Sequence, residues 1–223
     1  MSAPIEWEWL GLCAFDRALA LQEARWQARL HGGSDSCLAL EHPPTITLGR
    51  RATRADLRVP EALLAVCGIA CAVTERGGGA TYHGPGQLVL YPIVALGPRG
   101  LGVAGFVWTL EHIMIEIAAA FGVHATRDPR GRGVWTARGK LGAVGIRVRH
   151  GISMHGLALN VAPDLAPYRL IVPCATPDLP VTSLVREGVR AASVADALPV
   201  AEYVCVRLLG ARSARAAAGG VPA

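Results

Sequence analysis

The sequence predicts an α/β protein of the α+β type: one mixed β-sheet flanked by helices. Three observations predict it. The 223 residues are 52% hydrophobic and 17% charged, enough apolar material for a sizeable core in one domain. No repeat, linker or low-complexity stretch divides residues 1–210. Helical and strand patterns mix without the strict alternation that a doubly wound parallel sheet requires.

The elements follow in order. MSAPIEWEWLGL at the N-terminus carries Glu6 and Glu8 where a secretory leader needs a basic segment and then an apolar one, so no leader is expected. From Phe15 to Leu30, Ala18, Leu21, Ala24, Trp26 and Leu30 interleave with Arg17, Glu23, Arg25 and Arg29 at helical spacing, and Gly32-Gly33 stops the helix. Cys37–Leu40 and Thr45–Leu48 read as short strands on either side of Pro43-Pro44. Val59–Val66 reads as a short helix with Pro60 in its first turn. Cys71–Thr74 is a strand that runs into Arg76-Gly77-Gly78-Gly79. Leu88–Leu96 is continuously apolar, as a buried strand would be.

Val103–Phe121 predicts a buried central helix, with Thr109, Glu111 and Glu116 on its wetter side; those carboxylates and His112 argue against a membrane span. Residues 127–133 form a basic turn. Gly133–Val148 reads as strand, turn at Arg138-Gly139, and strand. His150-Gly151 turns the chain back into a strand over Ser153–Val161. Ser183–Arg186 and Ala192–Leu209 read as helical, and residues 211–223 as a flexible tail.

Composition narrows the chemistry. The net charge of +5 is scattered and aromatics are 5%, which argues against a nucleic-acid platform. Six cysteines at irregular spacing contain no CxxC, so neither a zinc site nor a disulfide framework is expected, and the location reads as cytoplasmic. Among 22 basic residues there is one lysine, Lys140. Arginine keeps its proton at any working pH, whereas a lysine can release it, so Lys140 is a candidate for proton transfer. The simpler alternative is a chance survivor in an arginine-biased chain.

Three segments carry the unusual residues. Arg76–Ile93 (RGGGATYHGPGQLVLYPI) packs five glycines into eleven positions, with Tyr82, His83 and Gln87 among them. It has neither the Gly-Lys-Ser/Thr of a phosphate loop nor a following helix, which leaves a ligand loop that approaches something closely through its backbone. Lys140–Val161 (KLGAVGIRVRHGISMHGLALNV) leaves room at Gly142 and Gly145. His155 within it reads as structural, near a pocket and outside the reaction. Cys174 follows Pro173 at the end of an extended segment. On local grounds alone it reads as a buried thiol.

Taken together, RGG-x-x-TYHGPGQ-L-V-x-YP, the Lys140 segment, HG-L-A-L-N-V and Pro173-Cys174 resemble the lipoyl(octanoyl) transferases, in order across residues 42–184, with HPPTITLGR and VTSL in agreement. Ala175 departs from the glycine expected after the cysteine. The resemblance implies the fold of the biotin and lipoate protein ligase catalytic domains. It implies transfer of an octanoyl group from acyl carrier protein to a lysine of lipoyl domains, in 2-oxo-acid dehydrogenase E2 subunits and in glycine cleavage H protein. Cys174 would be the nucleophile that holds the acyl thioester, and Lys140 the general acid/base that also lowers the thiol pKa. Substrate contacts would fall on Arg76, Gly77, Gly78, Gly79, Ala80, Thr81, Tyr82 and His83, on Ala143, Val144 and Gly145, and on Gly156, Leu157 and Ala158. No cofactor, metal, nucleic acid or membrane is expected, and the chain reads as a monomer. An ATP-dependent ligase on the same fold is the alternative.

Two further expectations follow from that chemistry. Gly142, Ala143, Gly145 and Ala158 are small enough to line an acyl slot. Arg50, Arg51, Arg54, Arg130, Arg132 and Arg149 could steer acidic partners.

Overall fold

A computed structural model describes residues 5–172 and 179–210. The described chain builds two sheets. The larger has seven strands: β1 (Ile5–Leu12), β2 (Asp35–Glu41), β6 (Gln87–Ile93), β7 (Thr126–Asp128), β8 (Gly131–Thr136), β9 (Gly139–Arg149) and β10 (Ile152–Asn160). Their spatial order is β1-β2-β6-β10-β9-β8-β7, with β1 and β2 parallel and every other pair antiparallel. The smaller sheet, β4 (Ala70–Val73), β3 (Thr45–Leu48) and β5 (Ala80–His83), pairs β3 parallel to β4 and antiparallel to β5. The mixed-sheet expectation holds, with a second sheet added to it.

The helices sort onto opposite faces of the large sheet. On one face α3 (Val103–Ala120) and α4 (Val194–Gly210) bury Phe106, Leu110, Ile113, Ile117, Val204 and Leu209 against Leu88, Leu90, Leu157 and Leu159. By length and composition α3 could cross a membrane; here eight of its residues are buried in the core. On the other face α1 (Phe15–Leu30) buries Ala18 and Trp26 against Val89, Tyr91, Ile93 and Met154. The small sheet closes its own cluster with α2 (Glu61–Val66) and a 3₁₀ turn over Ala166–Leu170.

Four details differ from the sequence reading. β1 is a strand: Ile5, Trp7 and Trp9 alternate with Glu6 and Glu8 along it. Ala80–His83, read as loop, is strand β5. Ser183–Arg186 lies in turns instead of a helix. Thr109 and Glu111 are buried, not on the wet side of α3. The Glu111 carboxylate accepts hydrogen bonds from the Gly133 amide (3.0 Å) and Arg127 Nε (3.1 Å), which replace the water it gives up.

A buried ion pair ties the sheet to α4. Asp35, at the start of β2, accepts from Arg99 Nε and Nη2 on one oxygen, at 2.8 and 2.5 Å. Its other oxygen accepts from Arg29 Nε at 2.5 Å and the Ala95 amide at 2.9 Å. Arg99 also donates to the Leu209 carbonyl in the last turn of α4.

Candidate active site

A narrow slot of about 60 Å³ runs between the two sheets. Its floor is the β9–β10 pair, where Ala143 faces Ala158 and Gly145 faces Gly156. Small residues are required there. A Cβ on Gly145 would stand 3.1 Å from Arg76 Cδ and from the Gly77 carbonyl, and one on Gly156 would collide with the Leu90 carbonyl at 2.2 Å. The glycine-rich loop forms the opposite wall and is tied to the floor by the Gly77 amide donating to the Ile146 carbonyl at 2.8 Å.

Of the residues predicted to contact substrate, Arg76, Gly78, Gly79, Ala80, Thr81 and His83 line this slot, together with Ala143, Val144, Gly145, Gly156, Leu157 and Ala158. Gly77 and Tyr82 do not line it; Tyr82 is buried behind, edge-on to Tyr168 at 5.6 Å between ring centroids. Tyr91, Asn160 and Val181, which lie within the quoted motifs, also line the slot, as do Phe15, Tyr168 and Leu179, which carry no motif signal of their own.

Lys140 sits at one end, 7% exposed, its Nζ 5.3 Å from the centre of the Trp135 ring. An ammonium over an indole face is stabilised by the ring quadrupole. The backbone of Lys140 is clamped on both sides: its amide donates to the Pro180 carbonyl at 2.8 Å, and its carbonyl accepts from the Thr182 amide at 3.0 Å. Cys174 lies outside the described residues. The chain on either side of it is held at the slot: Ile171 bridges Leu57, Tyr168 and Leu179 line the cavity, and Val181 bridges Lys140.

A hydrogen-bonded network ties both flanks to the floor. Gln87 Nε2 donates to Asn160 Oδ1 (2.9 Å), the Tyr168 hydroxyl (3.1 Å) and the Tyr82 carbonyl (3.2 Å). Asn160 Nδ2 donates to the Thr182 carbonyl at 3.0 Å. With its amide nitrogen thus committed, Gln87 presents its oxygen to His83 Nδ1 at 2.6 Å, so Nδ1 carries the proton and Nε2 is an acceptor. Nε2 faces the Thr47 hydroxyl at 3.4 Å, and that hydroxyl accepts from Arg76 Nε and Nη2. His42 is fixed likewise, donating from Nδ1 to the Cys13 carbonyl and accepting from the Tyr91 hydroxyl, both at 2.7 Å. The His83–Gln87 pair is four residues apart and lies within the TYHGPGQ motif, whereas the bonds to Asn160, Tyr168, Thr47 and Cys13 span 29 to 81 residues and have no local signal.

Three histidines here are neutral. Burial lowers His42 to about 4. Burial, then the Arg76 and Arg147 charges, lowers His155 to about 4. Burial, then His42 and Arg76, puts His83 well below the usual imidazole range. Unfolding restores their ordinary value near 6.5. Between pH 6.5 and 4 the unfolded chain therefore binds more protons, and stability falls as pH drops through that window. Each of the two displacements, from 6.5 to about 4, is worth on the order of 3 kcal/mol. The melting temperature is expected to fall by roughly 10 °C or more from pH 7 to pH 4. A flat profile in calorimetry would contradict the neutral assignment.

Beside the Lys140 end lies an open basin of about 890 Å³, which shares Tyr168, Leu179 and Val181 with the slot. Arg58, Arg138, Arg169 and Arg186 line it against one carboxylate, Asp164. None of the six arginines expected to steer partners lines either cavity. Arg54 pairs with Glu61, Arg130 with Asp128, and Arg149 with Glu23 while stacking on Trp26.

The lipoyl protein ligase A/B catalytic domain matches residues 15–202. An octanoyltransferase of Desulfotalea psychrophila is 46% identical over 183 residues, 80% of this chain and 82% of that one. A mitochondrial octanoyltransferase of Arabidopsis thaliana is 45% identical over 180 residues, 80% and 77% of the two chains. In fold, the chain is similar to protein Ta0514 of T. acidophilum with bound lipoic acid, at a TM-score of 0.76, 16% identity and coverage of 94% and 87%. It is also similar to the biotin protein ligase of Aquifex aeolicus in complex with biotin and ATP, at 0.57, 11% identity and coverage of 92% and 70%.

Proposed function

The chain belongs to the lipoyl protein ligase A/B catalytic-domain family, and we propose that it works as an octanoyltransferase of lipoate biosynthesis through a thioester on Cys174, with Lys140 moving the protons. The observation that supports this reading is the position of Lys140: the chain's one lysine is buried at the end of an apolar slot, beside an open basin. The donor is octanoyl-acyl carrier protein. The acceptors are lysines of lipoyl domains in 2-oxo-acid dehydrogenase E2 subunits and glycine cleavage H protein. The enzyme acts as a cytoplasmic monomer without a cofactor.

The Lys140 ammonium favours the Cys174 thiolate, since a free thiol is only a few per cent ionised at neutral pH. The thiolate attacks the donor carbonyl, and the carrier thiol leaves with the Lys140 proton. The acyl group remains a thioester, so little energy is lost. The incoming amine then attacks the same carbonyl, neutral Lys140 takes its proton, and that proton goes to the departing Cys174 sulfur. Backbone amides near the reacting carbon would stabilise each oxyanion. Each methylene that the slot buries contributes roughly 0.8 kcal/mol of binding.

Intact-mass spectrometry after mixing the protein with octanoyl-acyl carrier protein tests the proposal. One octanoyl adduct is expected, and none in Cys174→Ser. Acyl transfer that requires ATP and survives Cys174→Ser would establish the ligase alternative instead.

The basin arginines suit the acidic surfaces of the protein partners. Charge reversal at Arg169 and Arg186 is expected to raise KM for the carrier-protein donor roughly tenfold at low salt, with kcat nearly unchanged. A KM that ignores both the substitutions and ionic strength would remove the basin as the docking face.

A further inference from the structure

The two ends of the slot differ in chemistry. From Lys140 the floor strand runs five residues to Gly145. Between Lys140 and Gly145 the floor strands present Gly142, Ala143, Val144, Leu157 and Ala158, and the polar Asn160 and Tyr168 lie at the Lys140 end. At Gly145 the wall becomes charged. Arg76 lies across Gly145, its guanidinium held by Thr47 Oγ1 and by the Thr47 and Gly77 carbonyls. His155 is paired in register with Ile146, next to Gly145 on β9, and is 2% exposed. Its backbone is left-handed at φ 56°, a conformation that histidine adopts only when its surroundings hold it there. Its Nδ1 has no hydrogen-bond partner.

We propose that this inner end is the chain-length stop of the enzyme: an acyl tail enters until its last carbon meets Arg76 and His155, and Gly145 leaves the room that this carbon occupies. The inference rests on the reading of the slot as the acyl site and adds what limits the acyl group. A methylene moved into the aliphatic part gains about fourfold in binding. A methylene pressed against Arg76 or His155 gains nothing and covers polar groups that it cannot hydrogen-bond. Acceptance therefore rises with length and then breaks off sharply.

The test is kcat/KM for acyl-carrier-protein thioesters of six, eight, ten and twelve carbons, measured on the full chain. The wild type should gain roughly 15-fold from six to eight carbons and lose at least tenfold by twelve. Gly145→Ala puts a methyl 3.1 Å from Arg76 Cδ and should lower the eight-to-six ratio about tenfold. His155→Gly keeps the left-handed backbone available while removing the ring, and should raise the ten-to-eight ratio about tenfold. Ratios within one variant cancel a general loss of activity, and the wild-type profile decides if either variant does not fold. Equal turnover of eight and twelve carbons by the wild type, or ratios that both variants leave within twofold, would overturn the inference and leave octanoyl transfer standing. No transfer of any length would remove the function and the inference with it.

Discussion

Lys140→Arg is expected to lower octanoyl transfer to the acceptor by about 10²–10⁴-fold while the fold stays intact, the range typical of a lost general acid/base. The substitution keeps the positive charge beside the Trp135 ring. It removes the ability to give up a proton at working pH. The two half-reactions should therefore separate. Acylation of Cys174 keeps the cation near the sulfur, and the departing carrier thiolate can take its proton from water in place of Lys140, so the octanoyl adduct should still form and be visible by mass. Deacylation by an amine needs a base and should stall, so the adduct should accumulate. An arginine variant that turns over within tenfold of the parent would mean that proton transfer lies elsewhere. The histidines are poor substitutes: burial lowers His42 and His155 to about 4, which makes them weak bases, and His83 is committed to Gln87 and Thr47.

The largest stability effect is expected from Asp35→Ala, at about 3–5 kcal/mol. Both carboxylate oxygens are fully used, and Arg99 is 1% exposed. Loss of the carboxylate leaves a buried guanidinium without its counter-charge, the costly way to break such a pair. The melting temperature should fall by roughly 10 °C or more. Asp35→Ala combined with Arg99→Met removes both charges and should recover a good part of the loss. A double variant no better than the single would assign the cost to packing instead of charge.

How much was legible beforehand follows from where each signal resides. Helix Phe15–Leu30 and strand Thr45–Leu48 were found to the residue, because their periodicity and stop signals lie within themselves. β1 alternates Ile5, Trp7 and Trp9 with Glu6 and Glu8, but in sequence those glutamates speak first against a leader. The second sheet is not legible although two of its strands are, because Ala80–His83 is hidden among glycines and the pairing of strands is not a local signal. Glu111 was placed in solvent by residue type, since the Arg127 and Gly133 partners that allow its burial lie 16 and 22 residues away. At the site, the glycine-rich loop and Lys140 were legible as compositional oddities. The Gln87–Asn160 node and the basin arginines exist only after distant segments meet. The left-handed His155 gives no sign in sequence, because the fold imposes that conformation on it.

The bond from Arg99 to the Leu209 carbonyl bears on how the protein is made. Ile5 on β1 shares its core cluster with Val194, Val204 and Leu209 of α4, so the first strand and last helix complete one another. During synthesis the segment that opens the chain must wait for nearly all the rest to leave the ribosome before its burial is finished. Until then Asp35 and Arg99 hold each other without the last turn that shields them. A stalled or shortened product that lacks α4 should expose the apolar face over Leu88 and Leu90, and it should be handled by chaperones as a nascent chain instead of released as an enzyme.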